Sequence, residues 1–251
     1  MNGPLERPQV VFFDLGDTLV RAHPSWADVY LGVCRAFGVA VEREALARAL
    51  EEAFREHGLQ HRESPFPASE EASYELAKAY DEHAFARLGL HDLPDAFYRA
   101  VAAAFVRREA WHVFPDVPPA LDVLATAGIR LGLISNWTWQ APALLHELGL
   151  AQHFEVIIIS ARVGFQKPDR GIFEAALTAA GVTAGAALHV GDSWRNDILG
   201  AKAVGMRPVL IDRHGGDAGE ALAEGVPVVR DLAELLTLLG LPSAERTAAG
   251  A

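Results

Sequence analysis

The chain has 251 residues, 51% of them hydrophobic, enough for one sizeable α/β core with a smaller second unit. Its formal charge of -11, from 33 acidic and 22 basic residues without a long basic run, argues against nucleic acid or an anionic membrane as the main partner. One cysteine, Cys34, excludes an internal disulfide framework, and no stretch reaches the ~18 apolar residues of a membrane span, so the expectation is a soluble cytoplasmic protein, monomer or homodimer.

Val10-Val11-Phe12-Phe13 is an apolar, β-branched and aromatic run ending at Asp14, and it reads as a buried parallel strand with an acid at its C-terminal tip. From Val20 to about Val113 no buried strand is legible. This Ala-, Leu-, Glu- and Arg-rich interval predicts helices over 25–37, 42–57, 69–88 and 93–108, with a loop around Ser64-Pro65-Phe66-Pro67 and Cys34 packed inside the first helix. Strands are then predicted over 129–134, 156–159, 187–190 and 208–211, with a weaker one over 226–229. Helices over 120–127, 142–148, 172–180 and 197–204 lie between them, and Gly128, Gly149, Gly181 and Gly205 stand where C-cap glycines belong.

This alternation predicts an α/β fold: a Rossmann-like parallel sheet with helices on both faces. Residues 1–20 and 113–242 would form that core, and 21–112 an inserted all-α unit. An insertion after the first strand lies over that strand's C-terminal end, where open α/β sheets bind ligands, so it is a candidate lid. Residues 243–251 read as a disordered tail.

Polar clusters fall at the ends of four successive predicted strands: Asp14, then Ser135-Asn136, then Lys167-Pro168, then Gly191-Asp192-Ser193 with Asp197. A parallel sheet brings such ends together. Alone, Asp192 or Asp197 is an ordinary helix cap or turn residue and Lys167 an ordinary surface lysine. In order, however, Phe13-Asp14-Leu15-Gly16-Asp17-Thr18-Leu19, Ile134-Ser135-Asn136, Gln166-Lys167-Pro168 and Val190-Gly191-Asp192-Ser193 with Asn196-Asp197 resemble the four motifs of the haloacid dehalogenase-like hydrolases. The resemblance spans residues 9–212 and is closest to the group named for a haloacid dehalogenase-like hydrolase domain, which carries a helical cap.

That resemblance implies a magnesium-dependent hydrolase, most simply a phosphatase for a small phosphorylated metabolite, with the insertion as cap domain. Asp14 would be the nucleophile and would form an aspartyl-phosphate. Asp14, the Gly16 carbonyl and Asp192 resemble the Mg2+ set, with Asp197 orienting metal-bound water. Lys167 would pair with Asp14 and the phosphate, while the Ser135 hydroxyl and backbone N–H groups near Leu15 and Asn136 would donate to phosphate oxygens.

The chain departs from the phosphatase pattern two residues after the nucleophile, where a second aspartate usually protonates the leaving group; here Gly16 stands there and Asp17 follows. General acid–base assistance is worth about 10²- to 10⁴-fold, so the exchange matters. Two readings of Asp17 stay open: it bends into the vacated place on the Gly16 hinge, or it hydrogen-bonds its own turn. The gap also keeps alive dehalogenation at carbon, which needs neither that acid nor magnesium, and a non-catalytic phosphate-binding or regulatory role. Thr18 is expected to close the nucleophile turn, His189 to be a satisfied core histidine, and His23 to stand near substrate at most. Trp137, Trp139, Phe165 and Trp194 flank the motifs, either as packing between core and insertion or as an apolar leaving-group pocket. Arg21, Trp26, Tyr30 and Arg62 are specificity candidates on the insertion.

Overall fold

The computed structural model describes residues 5–57, 64–216 and 218–242. In chain order the strands are β1 (Val10–Phe13), β2 (Val20–Ala22), β3 (Trp111–Val113), β4 (Arg130–Ser135), β5 (Val156–Ile159), β6 (Ala187–Gly191), β7 (Arg207–Ile211) and β8 (Val228–Val229). β1 and β4 to β8 make a parallel sheet in the order β5-β4-β1-β6-β7-β8, with β1 between β4 and β6. Every residue of β1 is buried, as a strand covered on both faces must be.

Alternation along β1 assigns its two faces. Val11 and Phe13 pack into the larger core with α5 (Val117–Thr126), α6 (Ala141–Glu147) and α11 (Leu232–Leu238). Val10 and Phe12 face the opposite way, against α8 (Arg170–Ala180) and α9 (Gly200–Val204). Packing beside β1 is tight: a Cβ on Gly132 of β4 would collide with the Phe12 ring. The remaining core helices are α7 (Ser160–Val163) and α10 (Ala218–Ala223).

Between β2 and β3 the chain forms α1 (Trp26–Ala36), α2 (Arg43–His57), α3 (Glu70–Ala86) and α4 (Asp95–Ala104). Ser25 and Ser69 cap α1 and α3, each accepting a backbone N–H three residues on, at 3.2 and 3.1 Å. These helices share their own core of Tyr30, Leu31, Val33, Cys34, Leu46, Phe85, Phe97, Tyr98 and Val101. Cys34 is buried within it, and burial pushes its thiol up to about 11, the state of an inert packing residue.

The interval read as strand-free does contain strands, because β2 and β3 pair antiparallel at its two ends, Val20 with Val113 and Ala22 with Trp111. Each is three residues long and only one of its faces is covered, so neither leaves a continuous apolar run. The last insertion helix stops at Ala104 rather than 108, and a turn of 3₁₀ helix over Arg108–Ala110 leads into β3. The tail and Arg62 lie outside the described residues. Among those described, no helix is long and apolar enough to cross a membrane.

Candidate active site

The tips of β1, β4 and β6 and the loop before α8 converge as the parallel sheet requires. Asp14, just beyond β1, is fixed by its N–H donating to Val190 O at 2.9 Å. Lys167 Nζ donates to Asp14 Oδ1 at 2.5 Å and to Asp197 Oδ1 at 2.6 Å. Ser135 Oγ donates to Asp14 Oδ1 at 3.1 Å. Both contacts fall on Oδ1.

Asn136 acts through its side chain, a role the sequence did not suggest. It accepts from Lys167 N at 2.8 Å and donates to Lys167 O at 3.0 Å, clamping the lysine's backbone at both ends. Asp197 sits in a π-helical turn over Trp194–Leu199 capped by Ser193. Its Oδ1 also contacts His189 Nε2 at 2.8 Å, and its Oδ2 accepts from Ser193 N at 3.0 Å. Gly191 makes this approach sterically allowed, since a Cβ there would collide with the Asp197 carboxyl. His189 is a core residue, with its ring edge-on to Phe173 at 5.3 Å, but it is not fully satisfied: Nδ1 has no partner among the described residues.

The electrostatics follow from burial. Burial, and after it the neighbouring Asp197, raises the Asp14 carboxyl above its ordinary value against the pull of Lys167. Asp192 is partly exposed, and burial together with repulsion from Asp14 and Asp197 pushes it up to about 8. Burial alone would raise Asp197, but Lys167 and His189 hold it well below the carboxylate range. Lys167 is in turn kept firmly protonated, because Asp14 and Asp197 outweigh the burial that would lower it.

One oxygen each of Asp14, Asp192 and Asp197 lies within 4.8 Å of the others. Fully ionised, three carboxylates against one ammonium leave two negative charges, the complement of a divalent cation, and the donors are all oxygen. The residues present therefore fit magnesium.

Around this cluster the flanking residues separate. Asp17 takes a left-handed backbone (φ 52°), donates its N–H to Val20 O at 2.7 Å and is exposed. Its carboxyl is raised by the protein mass around it, against His214 and Arg21, and accepts no hydrogen bond among the described residues. Thr18 is buried, and its carbonyl rather than its hydroxyl, which has no partner among the described residues, does the tying, accepting from Arg213 Nε at 2.9 Å. Arg213 also makes a paired contact with Asp116, both at 3.1 Å, and so staples the nucleophile loop to the start of α5. Trp137 packs between core and insertion, 5.0 Å from Trp111. Trp139 stacks under Arg162, while Phe165 and Trp194 belong to core packing. Trp26 and Tyr30 contact Phe105 inside the insertion, Arg21 lies over Phe114, and His23 is 6.2 Å from His112.

The family model for haloacid dehalogenase-like hydrolases matches residues 8–205. A human protein named haloacid dehalogenase-like hydrolase domain-containing protein 3 is 30% identical over 214 residues, 81% of each chain. A phosphoglycolate phosphatase of Yersinia pseudotuberculosis is 41% identical over 135 residues, 52% of this chain and 57% of its own. Among solved structures, a HAD phosphatase from Thermococcus onnurineus aligns with a TM-score of 0.65 at 27% identity, over 94% of this chain and 99% of its own. A 2-haloacid dehalogenase from Pseudomonas syringae pv. Tomato aligns with a TM-score of 0.64 at 26% identity, over 93% and 98%. With three of the four motifs at strand tips, Lys167 in the loop between α7 and α8 rather than at the end of β5, and this likeness along most of its length, the chain belongs to the haloacid dehalogenase-like hydrolase family.

Proposed function

We propose that the protein is a magnesium-dependent phosphatase for a small phosphorylated metabolite, with residues 21–112 as a cap over the site. One observation carries this reading: a buried Asp14–Lys167–Asp197 chain with Asp192 beside it, a constellation whose unbalanced charge suits a cation and a phosphoryl group.

Asp14 attacks phosphorus and forms an aspartyl-phosphate as the ester bond breaks. Lys167, held between Asp14 and Asp197, offsets the repulsion between nucleophile and phosphate. The Ser135 hydroxyl, 3.1 Å from Asp14, and the N–H groups of Leu15 and Asn136 take the phosphoryl oxygens. Asp14, Asp192 and the Gly16 carbonyl would hold magnesium, with Asp197 behind them. When bound, the ion neutralises charge between nucleophile and phosphate. Asp17, exposed and faced by His214 and Arg21, has no part in these steps.

Gly16 favours a second reading, displacement of halide from carbon, which needs no acid at that position. Asp192 and Asp197 weigh against it, because further negative charge repels an anionic haloacid. A phosphate-ester screen with and without magnesium, on wild type and Asp14→Asn, decides. Magnesium-dependent phosphate release, lost by at least about 10³-fold in Asp14→Asn, is expected. Halide release from 2-haloacids without any divalent ion would overturn the proposal. Calorimetry should also find magnesium bound at least about tenfold more weakly by Asp192→Ala; equal affinity would sink the metal assignment.

A further inference from the structure

We infer that Trp137 sets the leaving-group preference of this site, selecting phosphate monoesters whose departing group is a flat aryl ring; this rests on the phosphatase reading above. A side chain at position 16 would begin 3.1 Å from Cζ3 of Trp137, so the indole fills the direction in which an acid there would project. The ring is held rather than loose. Buried Ser160 accepts from Trp137 N at 3.1 Å and donates to Trp137 O at 3.3 Å. Trp111 packs against the indole at 5.0 Å, with Trp26 and Phe105 behind it at 5.4 and 6.0 Å.

Exposure indicates the path of the substrate. Asp14, Ser135, Lys167 and Asp197 are nearly sealed, whereas Gly16, Asn136, Trp137 and Asp192 are partly exposed. A phosphoryl group against Asp14 therefore has its ester substituent on the rim formed by Gly16 and Trp137. There the substituent meets an aromatic ring, and position 16 offers no acid.

The chemistry demands the same class of substrate. A bond forms from an Asp14 carboxylate oxygen to phosphorus, the bond from phosphorus to the ester oxygen breaks, and the electron pair leaves on that oxygen. With no proton donor at position 16, the oxygen departs as an anion and takes its proton from water after release. An aryloxide is stable enough to leave this way and an alkoxide is not. The ring that spreads the charge is also the group that packs on an indole.

The test compares kcat/KM for phenyl phosphate and cyclohexyl phosphate in wild type, Trp137→Phe, Trp137→Leu and Trp137→Ala. Intrinsic reactivity cancels when the aryl-to-alkyl ratio is compared between variants. The ratio should fall about tenfold in the Leu and Ala variants and stay within about threefold in the Phe variant. An unchanged ratio in Trp137→Leu, which keeps apolar volume without the ring, overturns the inference. Calorimetry with phenylphosphonate and cyclohexylphosphonate in magnesium chloride reads the same preference without turnover. If wild type hydrolyses no phosphate ester, the phosphatase reading fails, and the phosphonate affinities alone judge Trp137. No phenylphosphonate binding, or binding indifferent to the Trp137 variants, also overturns it. Gly16→Asp should improve cyclohexyl phosphate turnover by about tenfold more when combined with Trp137→Ala than alone. Equal gains would mean that the indole does not obstruct position 16, and would count against the inference.

Discussion

Asp14 and Asp197 share the Lys167 ammonium at the end of the sheet, with Asp192 beside them. Asp81 lies as deep in the helical insertion, with the Tyr30 hydroxyl donating at 2.6 Å and no cation in hydrogen-bond reach among the described residues. The two places escape the penalty of buried charge in opposite ways. At the sheet end Asp197 stays ionised despite burial, because Lys167 and His189 outweigh it. In the insertion, burial pushes Asp81 up to about 7, so a proton supplies the neutrality that no side chain does. The Lys167–Asp197 pair keeps its charges by setting them against one another, and Asp81, with no such partner among the described residues, lets its charge go.

Removing the ammonium breaks the comparison most severely. Lys167→Met keeps the length of the side chain and leaves Asp14 and Asp197 without their cation. The expected loss is about 3–5 kcal/mol of unfolding free energy near pH 8, together with turnover. The sign follows from linkage: carboxylates deprived of the cation have folded pKa values above their unfolded ones, so they are tolerated while protonated and destabilise as pH rises. Urea unfolding at pH 5 and pH 8 measures this. An equal deficit at both values would mean that Lys167 contributes the packing of its stem rather than its charge.

Asp81→Asn sharpens the other half. The folded carboxyl titrates near 7 and its ordinary value is 3.8. The stability contributed by protonated Asp81 is therefore complete below about pH 4 and lost as pH rises through about 7, a change of roughly 2–4 kcal/mol. Asparagine keeps the shape and an acceptor oxygen for Tyr30 and has no proton to lose. The variant should be the more stable at pH 8, with the advantage shrinking toward pH 4. Parallel stability curves for wild type and variant would show that Asp81 keeps its proton, or its charge, across the whole range.

The same contrast separates what was legible in the sequence from what was not. The buried strands and the motif residues at their tips could be read because each is local: four apolar residues followed by Asp14, or a strand followed by Gly191-Asp192. Parallel topology then gathered Asp14, Ser135, Lys167 and Asp197 without further information. The contacts that orient these residues were hidden, since the Asn136 clamp on Lys167 spans 31 positions and the Arg213 bond to Thr18 spans 195. β2 and β3 escaped because Val20-Arg21-Ala22 buries only alternate residues over three positions. Nothing in the sequence sets Asp81 apart from the other acids of its helix, and its burial appears only once Tyr30 of α1 packs against α3. Gly16 was legible as a departure, but not that Trp137 stands over it.

The smallest effect concerns the seam between the two regions. Ser73 of α3 is buried and accepts from Trp139 N at 2.9 Å, and Glu70, one turn earlier, accepts from Gln140 Nε2 at 3.0 Å. Trp139 and Gln140 belong to the loop that leaves β4 through Ser135, Asn136 and Trp137. That loop is thus tied to the insertion at one end and to the nucleophile at the other. Ser73→Ala leaves the Trp139 N–H without its partner, an expected loss of about 1 kcal/mol. Global unfolding will register it weakly, whereas native-state hydrogen exchange reads it in place. The Trp139 amide should exchange up to about fivefold faster, while amides of β1 and β6 keep their wild-type protection. If protection instead falls evenly through the sheet, Ser73 belongs to one cooperative core, and the insertion and the sheet cannot be treated as regions that handle charge separately.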